Sequence, residues 1–367
     1  MTQIYSWCES SEYQIYALDG FSGTGKSTVA RTVAQHAHKR GFLGASFLFS
    51  RSEDDRKSAK FFFGTIASQL SQYSQEIAIR IGEALELKPD ASGKQLRDQL
   101  RDWIIQPLQR CKHVSKSTIL IVIDAFDECD EDAQRLLSLL LQEIRKVPNL
   151  KFTTRPERHI LGILLRYRFH QLYRLHDIGT SIVEGDVRRY LTHELSSQAV
   201  EAALPDLEPP PWIPSSSELN TLVNAAGKLF ILASITIKFL LDNHRYDPEA
   251  QMRDLMQAIT VDQIGVNPLY MLDWLYTRVL NVAIPLNSSP DILSQFHSVI
   301  GTIVLLLDPL PLRPLASLLH SDTDDVKHTL VHLQSIIFLS EPENTPRIYH
   351  KSFPDFITDA ERCSHDP

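Results

Sequence analysis

Cysteine is scarce in this sequence: 367 residues contain four, Cys8, Cys111, Cys129 and Cys363. They lie far apart and form no C-x-x-C pair, which excludes a disulfide framework and leads us to expect reduced thiols in a cytoplasmic setting. No run of about 18 apolar residues occurs, so no membrane span is expected. The longest candidate, LFILASITIKFLL, is broken by Ser234, Thr236 and Lys238 and suits a buried helix. The N-terminus, MTQIYSWCESSEYQ, lacks the basic and apolar regions of a signal peptide. A basic surplus is missing too. Acidic residues number 45 against 37 basic, a net charge of -8. Phosphate neutralisation needs a basic surface, so a general nucleic-acid binder is not expected. Internal repeats and low-complexity tracts are absent. What remains is an ordinary balance of 43% apolar and 22% charged residues, enough to bury a core and exclude global disorder. The length suggests two or three domains.

The first third alternates strand-like and helix-like segments. YQIYAL (13–18) and ASFLFS (45–50) read as strands. STILIVI (117–123) is β-branched and unbroken, as in a strand buried on both faces of a parallel sheet. Between them, 27–40, 61–85 and 131–147 have helical spacing, with 61–85 forming one or two helices. Such alternation predicts βαβ units in a three-layer α/β sandwich. From about residue 180 the signal is helical, interrupted by the proline-rich loop LPDLEPPPWIPSSS (204–217). After about 306 a helix (312–320), a second helix capped by Thr323, and strands 335–340 and 347–350 joined by EPENTP outline a winged helix.

Gly20-Phe21-Ser22-Gly23-Thr24-Gly25-Lys26-Ser27 satisfies G-x-x-x-x-G-K-[ST] between a strand and a helix, the context this motif requires. Chance would produce it in about one per cent of chains this long. The glycines let the backbone turn its N–H groups inward, and the following helix adds its positive end, a cradle for phosphate. Lys26 would reach the β- and γ-phosphates and Ser27 would ligate Mg²⁺. Gly20, Ser22, Gly23, Thr24, Gly25 and Thr28 complete the candidate nucleotide contacts. In ILIVIDAFDECD (119–130) an apolar strand ends in Asp124, the expected carboxylate for Mg²⁺. Glu128 is assigned as the base that orients a water, with Asp127 supporting the metal shell. In FTTRPE (152–157), Arg155 follows a strand end and would sense the γ-phosphate from the carboxyl edge of the sheet.

GFSGTGKST, IDAFDEC and TTRPE, in that order, resemble the NACHT class of signal-transduction ATPases. More closely they resemble the fungal NOD-like receptors with a nephrocystin-3-like domain. ASFLFSR, FFFGTIASQL, AAGKLFILAS, LYTRVL and HKSFPDF are similar to that family's pattern as well. The resemblance implies a P-loop NTPase sandwich with sheet order 5-1-4-3-2 over residues 1–180. A helical domain would follow at 181–305 and a winged-helix-like domain at 306–367. It also implies an ATP/ADP-controlled, Mg²⁺-dependent signalling switch with slow turnover that forms homo-oligomers on activation, working with effector and sensor domains. A winged-helix histidine of the family touches the β-phosphate of ADP, and His350 falls on that position. The alternative for His350 is a hydrogen-bonded histidine at a domain seam. Gly227 to Leu232 would line the adenine side. The segment before Thr154 is about two residues shorter than the family pattern, and a fragment or truncated paralogue is one expectation. A catalytically inert scaffold is the other reading of the whole chain.

Other constellations carry less. His328 and His332 stand one helical turn apart, but Thr329 occupies the place where a zinc protease needs Glu. Asp324 and Asp325 on the second helix of the winged-helix outline would repel a DNA backbone. No N-K-x-D element for guanine occurs, which favours adenine.

Overall fold

The protein is described by a computed structural model that covers all residues except 11–12, 51–52, 88–94, 112–117, 130–131, 155–161, 167–169, 207–210, 243–246, 261–267, 285–288 and 364–367. The chain divides into two compact units. One comprises Met1–Phe21 with Lys26–His176, the other Ser22–Gly25 with Asp177–Pro367.

The first unit is built on five parallel strands: β1 (Ile15–Asp19), β2 (Leu43–Leu48), β3 (Ile119–Asp124), β4 (Leu150–Thr154) and β5 (His170–Arg174). Their order is β2-β3-β4-β1-β5, the expected arrangement read from the other edge. This is a three-layer α/β sandwich with helices on both faces of a parallel sheet. The two-residue period of a strand divides the core between those faces. Ile15, Ala17, Ile119, Ile121 and Ile123 point to a layer with Phe62, Phe63, Ile66 and Trp103. Tyr16, Leu18, Leu120 and Val122 point to the other, with Trp7, Ala30 and Val33. The helical stretch predicted at 61–85 is two helices, Phe62–Tyr73 and Gln75–Leu87, broken at Ser74 where the backbone is extended.

Among the elements not evident from the sequence are two helical ones. Helix α1 (Thr2–Glu9) lies against the second layer through Ile4, Trp7 and Cys8. Lys151, 3% exposed on β4, holds its C-terminal end. Its ammonium donates to Trp7 O at 2.5 Å and to Ser10 O, and lies 5.0 Å from the Trp7 ring centroid. A cation at the carbonyl end of a helix is favourably placed, although burial holds the Lys151 pKa below its usual value. The helical segment 96–110 also contains a π-helical stretch, Leu100–Ile105.

In the second unit, helices from Thr180–Glu194 to Thr323–Val331 share one core with a two-stranded antiparallel hairpin, β6 (Ile337–Ser340) and β7 (Thr345–Ile348). Helix Ser216–Ala226 starts with a capping box between Ser215 and Glu218, which satisfies two end donors. Thr323 does not cap the helix assigned to it. The cap is Asp322, whose carboxylate accepts from Asp324 N at 2.9 Å, and Thr323 is the first helical residue. The second hairpin strand has its expected four residues but starts two positions earlier, so His350 lies beyond β7 and not within it.

Three thiols, Cys8, Cys111 and Cys129, are buried and Cys363 is exposed. Burial pushes Cys8 up to about 11 and raises Cys111 as well. The thiolate is the reactive form. Burial raises Cys363 too, but it is the exposed thiol, so brief treatment with iodoacetamide near pH 8 is expected to label Cys363 first in the native protein and all four thiols in urea. Lys151→Ala removes the anchor of α1 and should speed Cys8 labelling by about tenfold, read by peptide mass spectrometry. Unchanged protection of Cys8 would show that Lys151 does not hold the helix.

Candidate functional site

β1 sits between β4 and β5, and its carboxyl end feeds the loop that enters helix α2 (Lys26–Lys39). Gly23 and Gly25 have φ of +79° and +91°, a conformation that costs a residue with a Cβ about 1–2 kcal/mol. Space is also limiting. A Cβ on Gly23 would lie 2.2 Å from Ile231 Cγ2, whereas one on Gly25 would meet only Phe230 Cδ2 at 3.6 Å. The loop tip Ser22–Gly25 groups with the second unit, and Ile231 N–H donates to Gly23 O at 3.1 Å. Of the segment expected to line the adenine side, Phe230 and Ile231 thus meet the loop itself.

Lys26 is 5% exposed. Its ammonium donates to Phe21 O at 2.7 Å and to Gly20 O. A buried charge needs such partners, and carbonyl oxygens here occupy the ammonium in the way phosphate oxygens would. Ser22 Oγ is buried with no hydrogen-bond partner among the described residues. Thr24 is half-buried, and Ser27 and Thr28 are exposed on the first turn of α2. Thr28 O accepts from Thr32 Oγ1 at 2.8 Å.

Asp124 ends β3, 7% exposed, and its carbonyl accepts from Phe49 N at 3.1 Å. The next residue, Ala125, has φ of +51°, a left-handed conformation rare outside glycine and often stored at functional sites. That turn leads into a 3₁₀ helix, Phe126–Glu128, in which Glu128 N donates to Ala125 O at 2.8 Å. Glu128 is half-buried and acts electrostatically on Arg56, whose pKa is raised chiefly by its bond to Glu53. The Asp127 side chain and all of Arg155 lie outside the described residues.

β4 separates β1 from β3, so its carboxyl end stands between the loop strand and the Asp124 strand. Thr153 and Thr154 are each 1% exposed, and neither Oγ1 has a hydrogen-bond partner among the described residues. An unsatisfied buried hydroxyl costs about 1–3 kcal/mol. Such a cost at the ligand edge of an α/β sheet fits a site built for a polar group. The doublet before Arg155 held this signal in the sequence, but only the arginine was singled out. Among the described residues no group of three or more His, Cys, Asp or Glu side chains converges on a metal position. The donors present, the Ser27 hydroxyl and the Asp124 carboxylate, are oxygens, the ligand type Mg²⁺ takes alongside phosphate and water.

His350 belongs to the second unit and is half-buried just after β7. Its Nδ1 is 2.7 Å from Ser352 Oγ.

Residues 1–154 match the family described as Nephrocystin 3, N-terminal. The match ends where β4 ends. No curated protein matches the chain. Among solved structures it is similar to Cdc6p from Pyrobaculum aerophilum, at 12% identity and a TM-score of 0.36, covering 94% of this chain and 86% of that one. It is similar to AMPPCP-bound DnaA from Aquifex aeolicus at 13% identity and a TM-score of 0.36, with coverage of 91% and 87%. A RuvB from Thermotoga maritima gives 14% identity and a TM-score of 0.33, with coverage of 96% and 92%. No helix among the described residues is long and apolar enough to cross a membrane.

Gly23 and Gly41 permit a controlled comparison. Gly41 has φ of +74° and nothing within 4 Å of a built Cβ. Gly41→Ala should therefore cost only the conformational strain of roughly 1–2 kcal/mol. Gly23→Ala should cost clearly more in urea denaturation, because Ile231 must also move. Equal costs would mean that the Ile231 contact is soft.

Proposed function

We propose that the chain is an ATP/ADP-binding switch of the NOD-like receptor type, with slow Mg²⁺-dependent hydrolysis. The carrying observation is the Lys26 ammonium, buried and coordinated by the carbonyls of its own glycine loop at the mouth of a parallel sheet. Binding exchanges those carbonyls for phosphate oxygens without building a new cradle. Gly20 to Thr28 hold the polyphosphate, and Ser27 and Asp124 hold its magnesium, which supplies positive charge at the transferring group. Glu128 orients the water, supported by Asp127, and Arg155 senses the γ-phosphate. Phe230 and Ile231 lie on the base side of the loop.

Within the second unit we assign residues 181–305 as a helical domain and 306–367 as a winged-helix-like domain that presents His350 to the β-phosphate of ADP. ATP would release that contact and permit homo-oligomerisation, with effector and sensor domains as partners in a cytoplasmic signalling pathway. An inert nucleotide-bound scaffold is the second reading. The left-handed Ala125 favours the active one, because strain beside Asp124 has no use in a scaffold.

Titration with a fluorescent ADP analogue is expected to show saturable binding that Lys26→Ala weakens by at least about a hundredfold, since charge-assisted bonds to phosphate are lost. Equal binding by both proteins, or none by either, would refute nucleotide recognition. Phosphate release is expected to be slow in the wild type and at background in Glu128→Gln. No turnover in either protein would leave the scaffold as the correct reading.

A further inference from the structure

Among the described residues β2 is an outermost strand of its sheet, paired to β3 on one side only. Such an edge offers unpaired backbone groups to any other extended chain, and proteins commonly blunt it with charge, proline or a bulge. Residues 41–50, GFLGASFLFS, contain no charged residue and no proline, and the last six contain no glycine. An uncharged, apolar stretch of that kind favours pairing with identical copies of itself. A register shift between Leu43 and Ala45 disturbs the start of the strand. From Ala45 to Leu48 the register is regular, and Leu48 is an exposed apolar side chain.

One side chain stands where a further strand would lie. Phe49 N–H donates to Asp124 O on β3. Residues alternate along a strand, so Ser46 presents its backbone polar groups to the outer side. Its N–H donates to Gln69 Oε1 at 2.8 Å, and its carbonyl accepts from Gln69 Nε2 at 3.0 Å. This is the reciprocal exchange that one residue of an antiparallel neighbour would make. The amide has a single workable orientation here, because the reverse would set donor against donor and acceptor against acceptor. Gln69 is held over the edge by its helix, Phe62–Tyr73, whose Phe62, Phe63, Ile66 and Leu70 are buried in the first unit's core. Leu70 comes so near the strand that a Cβ on Gly44 would lie 2.9 Å from its Cδ2. A glutamine serving only solubility would turn its amide to water. This one satisfies both backbone groups of one strand residue.

We propose that the β2 edge is a self-pairing surface for a second copy of this chain, and that Gln69 keeps it closed by standing in for the missing strand. The second copy is the occupant because it brings the same uncharged strand, with no side-chain charge to oppose the pairing. The proposal does not rest on the nucleotide reading, since Gln69 and Ser46 both belong to the first unit.

The test uses the full chain free of nucleotide. Hydrogen exchange at Ser46 is followed at the lowest workable concentration, and association by sedimentation over a concentration series. Gln69→Ala is expected to speed exchange of the Ser46 amide about five- to tenfold, the loss of one hydrogen bond, and to add association that grows with concentration. Gln69→Asn keeps the amide but is one methylene too short, and should do the same; it carries the test if Gln69→Ala loses its cooperative melting. Adding Ser46→Lys to either variant should abolish the added association, because the Ser46 side chain is exposed on this edge and pairing would bring like charges together. A Ser46 amide that exchanges at the wild-type rate in the Gln69 variants overturns the proposal. So do variants that associate no more than the wild type, or association that Ser46→Lys leaves intact. A wild type whose own association disappears with Ser46→Lys also overturns it, because its edge would already be open.

Discussion

One buried cation governs the glycine loop. The Lys26 ammonium is withdrawn from water, and the carbonyls of Gly20 and Phe21 compensate it. For those carbonyls to face inward, the loop must reverse within a few residues, which sets positive φ at Gly23 and Gly25. The reversal brings the tip so close to Ile231 that no side chain fits at Gly23. The free loop is therefore already shaped around a charge. Any affinity the lysine contributed to a phosphate ligand would be the difference between its bonds to phosphate and its bonds to carbonyls, smaller than either set alone.

The same sheet edge carries costs that packing does not explain. Ala125 adopts a glycine-like backbone immediately after Asp124, and the Thr153 and Thr154 hydroxyls are buried without partners among the described residues. Each is a local conflict between sequence and fold. Such conflicts gather at working sites, because a site is shaped for a group that the chain alone does not contain.

How legible the sequence was follows from these forces. The glycine loop was legible because only glycine tolerates its backbone, and β3 because six buried residues in a row leave no polar face. β5 was not. HQLYR is half-buried at a sheet edge and alternates weakly, so only family resemblance supplied a fifth strand. Helix α1 was missed because its docking depends on Lys151, 144 positions distant in the chain. The Ala125 turn gives no signal, since alanine has no preference for that conformation. The capping error arose within Asp322-Thr323-Asp324, where neighbouring residues have nearly equal capping power.

His350 is bound into the core of its own unit. It is tied through Ser352 to Tyr276, and Tyr276 sits among Phe353 and Phe356 in a core shared by helices and hairpin. One hydrogen bond from His350 contributes about 1.5–3 kcal/mol even when charge-assisted. Reversing a two-state population from 1:99 to 99:1 takes about 5.5 kcal/mol. The histidine therefore cannot hold a switch by itself. Because Ser352 and Tyr276 tie it to the packed core, a rearrangement of that core would alter the position of His350 and apolar burial in the same event. Repacking of that core would have to supply the remainder.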